Sequence, residues 1–196
     1  MTTLRDLSRG EHKLIGEIIG ESFADDPINC WIFGGPGGMK PYYTAVAKKL
    51  YLPNGYGHTA QDGSGGTMWL PSGVDKHIPL WNSMDIAVSM IRYGGVGSIV
   101  RGMSIDGFLA KRKPTAPHFY LFAIGTLPSR QGKGIGGALM TAGLERADRE
   151  NKPVYLESSK HNNLSFYRHF GFEVIEKVVP ARGCPPMWLM WREPHG

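Results

Sequence analysis

Only two cysteines, Cys30 and Cys184, occur in 196 residues, and neither has a C-x-x-C partner. That excludes a disulfide framework and a zinc ribbon as the basis of the fold, and both thiols are expected to be buried or unreactive. No stretch approaches the roughly 18 to 20 consecutive apolar residues of a membrane span, and Met1 to Asp6 lacks the apolar run of a secretory signal, so a cytoplasmic protein without a membrane partner is expected. The seven histidines show no metal-ligand spacing, which argues against a metal site. A G-x-S-x-G elbow and a P-loop G-K-[ST] are also missing, leaving serine hydrolase and nucleoside triphosphatase chemistry without support. Lysine and arginine (22) exceed aspartate and glutamate (17), yet the densest basic run is only Lys111-Arg112-Lys113. With no zinc finger, basic helix or aromatic RNA-binding signature, nucleic acid is not the expected partner, and a polyanionic cofactor accounts for the same bias.

What is present fits one enzyme domain, since 196 residues with 41% hydrophobic content close a sizeable single core. The apolar spacing of Leu14, Ile15, Ile18, Ile19 and Phe23 predicts a helix over Glu11 to Phe23, stopped at Asp25-Asp26-Pro27, and a second helix runs from Tyr42 to Leu50. Tyr56 to Gln61 and Gly66 to Leu70 flank Asp62-Gly63-Ser64-Gly65 as a hairpin. From Trp81 to Arg101 one or two short helices are broken at Gly94-Gly95, and residues 80 to 110 read as an apolar cover over a small site. Phe119 to Leu127, Val154 to Glu157, Phe172 to Val179 and Met187 to Trp191 are the later strands. Strands and helices alternating in this order predict an α/β fold with a mixed, twisted sheet and helices on both faces, without internal repeats.

Chemistry concentrates in Gln131-Gly132-Lys133-Gly134-Ile135-Gly136-Gly137, between the strand ending at Leu127 and a helix marked by Ile135, Ala138, Leu139 and Ala142. Three glycines alternating with single residues at a helix start bring backbone N–H groups close to an anion such as a pyrophosphate. Two cofactor classes compete for this loop. Gly132, Gly134 and Gly137 also satisfy the dinucleotide fingerprint G-x-G-x-x-G, with Glu157 about 20 residues further on. Against that reading, Pro128 to Gln131 separate the strand from Gly132, and too few residues follow to complete a doubly wound sheet.

A second motif, Asn163-Leu164-Ser165-Phe166-Tyr167-Arg168-His169-Phe170-Gly171-Phe172, reads as a two-turn helix that starts at an N-cap and stops at glycine. Together, Q-x-x-G-x-G on a strand, loop and helix, and a tyrosine four residues before Gly171-Phe172, resemble the GNAT superfamily of acetyl-CoA-dependent N-acetyltransferases. Within it the chain looks most like the puromycin N-acetyltransferase group, through Ser22 to Pro27, Trp69-Leu70-Pro71, Gln131 to Gly136, Leu156 to Ser159 and Asn163 to Phe172. The resemblance implies one GNAT-type domain, with residues to about 110 on the acceptor side and about 115–196 on the acetyl-CoA side. It implies that acetyl-CoA is the cosubstrate, held by backbone groups near Ile124, Gly125 and Thr126, by the loop residues Gln131, Gly132, Lys133, Gly134, Ile135 and Gly136, and by Asn163 and Tyr167.

Transfer of an acetyl group from a thioester to an amine needs a neutral amine, a polarised carbonyl and a protonated leaving thiolate. Tyr167 is the candidate general acid, with packing against the cofactor as its alternative role. Glu157, at the end of an apolar strand, is the first candidate base, with a structural ion pair as its alternative; His118 is a second candidate. Asn163 serves either the pantetheine arm or the helix cap. For the acceptor, Asp26, Trp31 and Trp69, with Asp25, Phe33 and Trp81, are expected to form an aromatic pocket with acidic attraction for an amine. The expected activity is direct acetylation of a small primary amine in a ternary complex by a monomer or homodimer; a protein acetyltransferase acting on lysine or an N-terminus, or a non-catalytic acyl-CoA-binding module, are the alternatives.

Overall fold

The computed structural model describes residues 2–74 and 84–195. Its frame is a seven-stranded sheet in the order β1-β2-β3-β4-β5-β7-β6, built from Leu4–Asp6 (β1), His58–Ala60 (β2), Gly65–Leu70 (β3), Phe119–Thr126 (β4), Val154–Ser158 (β5), Glu173–Val178 (β6) and Met187–Arg192 (β7). Every neighbouring pair is antiparallel except β4 and β5. The predicted mixed sheet is thus found, and the doubly wound alternative is not. The edge strand β1 carries only three residues, too short to raise a periodic signal in the sequence.

Helices cover both faces. On one lie α1 (His12–Ser22), α2 (Pro27–Phe33), α3 (Met39–Val46), a π turn over Ala47–Tyr51 that runs into the single turn α4 (Leu52–Asn54), and the pair α5 (Met84–Gly94) and α6 (Val96–Ala110). They bury Ile15, Ile19, Tyr43 and Tyr51 against Met68, Tyr120 and Tyr155 of the sheet. The opposite face is covered by α7 (Ile135–Arg149) and α8 (Leu164–His169), whose Met140, Leu144 and Tyr167 meet Trp69, Phe119 and Leu156. Each strand therefore feeds two cores by alternation.

Helix α2 was not expected. Asp25-Asp26-Pro27 reads as a helix stop, and it is one, but Asp26 also caps the next helix: its Oδ1 accepts from the Asn29 N–H at 2.9 Å, with Pro27 in the first turn. Acidic cap followed by proline is the start signal that the stop reading obscures. The predicted Tyr42 to Leu50 helix starts three residues earlier and widens into the π turn.

At the far end of the sheet, Arg192 is buried and grips Asp148 of α7 with both guanidinium nitrogens, at 2.6 and 2.9 Å, while its Nε donates to the Phe170 carbonyl at 2.8 Å. One side chain thus joins β7, α7 and the end of α8. Burial disfavours the Asp148 charge, but hydrogen bonds from Arg192 and from the His195 N–H outweigh it, so the Asp148 pKa lies below the ordinary carboxylate value. Asp148→Asn is expected to cost about 3 kcal/mol by stranding a buried guanidinium, a fall in Tm of roughly 6 to 12 °C. Because the folded-state pKa is depressed, this stabilisation is complete above about pH 4 and lost as pH falls through the lower folded value. Thermal unfolding at pH 7 and pH 3 checks both points: the gap between wild type and variant should shrink in acid.

Candidate active site

Strands β4 and β5 pair at Phe119↔Val154, Tyr120↔Tyr155 and Leu121↔Leu156, and no further. Both strands continue, to Thr126 and Ser158, so their backbones part toward their C-terminal ends. The last paired residue is followed by a bulge: β3 pairs Met68 with Ala123 and Trp69 with Leu121, leaving Phe122 as an extra residue. A bulge increases local twist and bends the strand away from its neighbour. It also puts Phe122 and Ala123 toward the same core.

The parted strands open into a cleft of about 470 Å³. Ile124, Gly125, Thr126, Gln131, Gly132, Gly134, Ile135, Gly136, Asn163, Tyr167, Glu157 and Asp26 all line it, so the structure gathers most of the residues that the sequence singled out. Six others are placed elsewhere: Asp25 is exposed beside Lys160, and Phe33 is buried in the core under α2 and α3. Trp69 is fully buried on the α7 side, stacked on Tyr56 at 5.9 Å between ring centroids, because its strand position points it to the opposite core. Trp31 lies on α2 near the Arg101 guanidinium, 5.9 Å away, outside the cleft. Lys133 does not line the cleft but a neighbouring depression, with Asp62 and with Arg130 and Ile135, which border both. His118 precedes β4 at the end of the strand remote from the opening, about 20 Å of chain from Ile124. Its Nδ1 lies 2.6 Å from the Ala116 carbonyl, its ring packs against Tyr155 and Trp191, and burial lowers its pKa. Trp81 lies outside the described residues.

The glycine loop has the expected form. Gly132 and Gly134 take φ of +74° and +77°, and a Cβ on either would meet no protein atom within 4 Å, so the space before the loop is open to a ligand. Helix α7 begins at Ile135, and its first backbone bond runs from the Ala138 N–H to the Gly134 carbonyl at 3.1 Å. The N–H groups of residues 135 to 137 therefore face the cleft end of a 15-residue helix dipole, an anion site by construction. Gly125 has a different reason to be glycine: a Cβ there would lie 2.7 Å from Ser22 Cβ, so its absence lets the end of α1 close on the cleft.

Across the cleft, α8 presents Tyr167, which is 8% exposed. Its hydroxyl makes no hydrogen bond among the described residues, and burial, reinforced by the negative charge of Asp26, raises its pKa well above the ordinary phenol value. Tyr167 is therefore a neutral donor at any physiological pH. Asn163 stands at the N-cap position of α8, but its side chain makes no cap bond, leaving the amide exposed at the cleft. Glu157 shares its face of β5 with Tyr155 and accepts from the Tyr120 hydroxyl at 2.7 Å. Asp26 accepts from the Asn29 amide at 2.8 Å and from the Ser159 hydroxyl. Neither carboxylate has an ion-pair partner among the described residues, so the cleft carries two uncompensated negative groups beside the aromatic edges of Phe23 and Phe122.

Phe23, Phe122 and Ser159 lay outside the residues expected at the site. Phe122 was hidden because the bulge breaks strand alternation, and Ser159 because its partner Asp26 is 133 residues away. Nor do α5 and α6 form the expected cover. No residue of either lines the cleft; they pack instead on α2 and α3.

Comparison with known proteins agrees with this geometry. Residues 92–174 match the acetyltransferase (GNAT) domain family. An uncharacterized N-acetyltransferase of Schizosaccharomyces pombe is 36% identical over 79 residues, which are 39% of this chain, and the chain spans about a third (32%) of that protein. Among solved structures, the chain is similar to a histone acetyltransferase HPA2 and related acetyltransferase from Corynebacterium glutamicum (TM-score 0.74, 21% identity, 100% of this chain and 98% of that one). It is also similar to arylalkylamine N-acetyltransferase 2 from Aedes aegypti (0.66, 13%, 98% and 99%) and to Naa20 of Chaetomium thermophilum in complex with a bisubstrate analogue (0.54, 16%, 98% and 86%). At these identities the likeness is one of fold.

The two adjacent aspartates separate here in a measurable way. Asp26 caps α2 from a buried position, whereas Asp25 is 80% exposed in its bridge to Lys160. Asp26→Ala is expected to lower stability by about 1 to 2 kcal/mol, and Asp25→Ala by less than about 0.5 kcal/mol, in urea unfolding.

Proposed function

On a chain that carries the acetyltransferase (GNAT) fold, we propose that the cleft moves an acetyl group from acetyl-CoA directly to the primary amine of a small molecule, both substrates being bound together. The observation that carries the reading is the parting of β4 from β5 opposite a buried, neutral Tyr167, next to a helix start that binds anions. A chain lying between parted strands finds those backbone groups of Ile124 and Gly125 that face away from β3, while the Thr126 carbonyl accepts from Gln131; free cleft-facing groups are what an amide-bearing pantetheine arm needs. Its pyrophosphate meets the N–H groups after Gly132 and Gly134, and Gln131 and Asn163 add side-chain donors beside them. The reading makes the residues beyond about 115 the acetyl-CoA side and those before about 110 the larger part of the acceptor side. The order of the Ser22 to Pro27, loop and Tyr167 motifs favours the puromycin N-acetyltransferase group as the nearest pattern.

Acetyl-CoA supplies a thioester whose carbonyl is attacked and whose thiolate departs. An ammonium entering past Phe23 and Phe122 is attracted by Asp26 and Glu157, and Glu157 takes a proton from it directly or through one water. The amine nitrogen then bonds to the acetyl carbon as the carbon–sulfur bond breaks, and the second proton it sheds on becoming an amide leaves to water. Tyr167 gives its proton to the sulfur, and proton exchange with water restores it. Tyr120, donating to Glu157, orients the carboxylate. His118 and Trp69, remote from the cleft, have no part in this scheme.

A protein acceptor is the second reading, favoured by one observation: α5 and α6 leave the cleft uncovered. Two uncompensated carboxylates beside aromatic edges in a cleft of small-ligand volume favour the small amine.

Tyr167→Phe removes only the hydroxyl from a packed ring. A thiol of pKa about 8.5 is a tolerable leaving group, so kcat should fall about 10- to 100-fold rather than vanish, with the acetyl-CoA Kd changed less than threefold. Unchanged turnover in steady-state kinetics would assign Tyr167 to packing alone. Gly134→Ala puts a Cβ at φ +77° and costs about 1 to 2 kcal/mol of strain in the loop geometry. Calorimetric titration should show acetyl-CoA binding weakened about tenfold, whereas Gly10→Ala, in open space at an ordinary φ, leaves it unchanged.

A further inference from the structure

Helices α5 and α6 turn one face to the fold and leave the other without a partner among the described residues. Inward, Ile86, Ile105 and Leu109 are buried. The Ser98 hydroxyl donates to the carbonyls of Gly95 and Met90 at 2.7 and 2.8 Å, fixing the turn between the helices. Arg101 donates twice to the Ile32 carbonyl, at 3.0 and 2.6 Å, tying α6 to α2. The pair is thus held in a defined position on the molecule.

Outward, Met84, Val88 and Ile91 recur on α5 at i, i+4 and i+7, and Val96, Val100 and Met103 do the same on α6. With Tyr93 they are 45% to 70% exposed, and they make up seven of the nine exposed large hydrophobic side chains among the described residues. Scattered exposed apolar residues are ordinary, but two stripes at helical spacing on helices that pack against each other concentrate that surface in one part of the fold. The exposed parts sum to on the order of 700 Å² of apolar surface, close to the about 800 Å² that each partner gives to a stable interface of standard size.

We propose that this face is the interface of a homodimer, α5 and α6 of one chain packing on the same pair of a second copy about a two-fold axis. Charge placement favours a second copy over any other occupant. Asp85 and Arg92 are the charged residues of α5, both exposed, and they sit symmetrically about the midpoint between Val88 and Ser89; Asp85 also pairs with Lys49 of its own chain at 3.4 Å and keeps about half (49%) of its side chain open to a second cation. An antiparallel contact of α5 with its symmetry mate centred there brings Asp85 against the partner's Arg92, and the two-fold axis repeats the pair. The apolar stripe between them is self-complementary. Because no residue of α5 or α6 lines the cleft, dimerisation leaves the active site open on each chain.

Sedimentation of the full chain between about 1 and 100 μM tests this. The expected species is a dimer of twice the 21.6 kDa chain mass. Val88→Glu with Val100→Glu, at positions 62% and 64% exposed, should weaken association at least about 100-fold while leaving the circular dichroism spectrum and Tm unchanged. Arg92→Asp, which sets like charges opposite each other twice, should weaken it at least about tenfold, and adding Asp85→Arg should restore it. A chain that stays monomeric throughout overturns the proposal. So does a dimer indifferent to the glutamate pair, which would use another surface. Binding of the wild type to phospholipid vesicles, abolished by the glutamate pair, in place of self-association, assigns the patch to a membrane and overturns it too.

Discussion

The cleft depends on one interrupted interaction: the hydrogen-bonded ladder between β4 and β5, which stops at Leu121↔Leu156 while both strands run on. Up to that pair the facing backbone groups of β4 and β5 bond each other, and beyond it, where the two strands separate, they face the cleft. The Phe122 bulge turns β4 aside at that point, and the glycine at 125 lets α1 seal the gap from one face. α7 and α8 close it from the other. Buried backbone donors and acceptors are costly without partners, so a parted pair of strands holds open a demand that a ligand with amides of its own can meet.

Charge is divided along this cleft. At the loop end, the start of α7 and its unbonded N–H groups offer positive potential to phosphates. At the acceptor end, Asp26 and Glu157 offer negative potential without a cation of their own. Tyr167 lies between the two, and its neutrality follows from that position: burial and the Asp26 charge both oppose loss of its proton. The same aspartate caps α2 and binds Ser159, so it couples the acceptor-side helix to the loop that follows β5. A residue that organises the fold thus also shapes the electrostatics of the cleft.

How much of this was legible in the sequence varied with the range over which each residue acts. The glycine loop and α8 were readable because their signals are local: glycines at positive φ before a periodic helix, and a two-turn helix closed by Gly171. Tyr167 and the loop residues other than Lys133 line the cleft, as those signals suggest. Residues whose role rests on distant partners were not readable. Asp26 joined to Ser159, Phe122 displaced by a bulge, and Trp69 turned to the opposite core by one step of strand alternation all require the register of the sheet. The same holds for α5 and α6: their apolar character suggested a cover over the site, but which way the apolar stripes face is decided by packing on α2 and α3, and they face solvent.

The central claim is that the cleft catalyses acetyl transfer to an amine, and free-thiol release from acetyl-CoA by the purified protein tests it most directly. The panel of acceptors should include puromycin, polyamines, aminoglycosides and lysine peptides. The account predicts release that depends on added amine and is faster with small amines than with peptides. If the protein binds acetyl-CoA yet no amine in the panel raises thiol release above background, the reading of Tyr167 and Glu157 as acid and base is contradicted, and the cleft is a binding site alone.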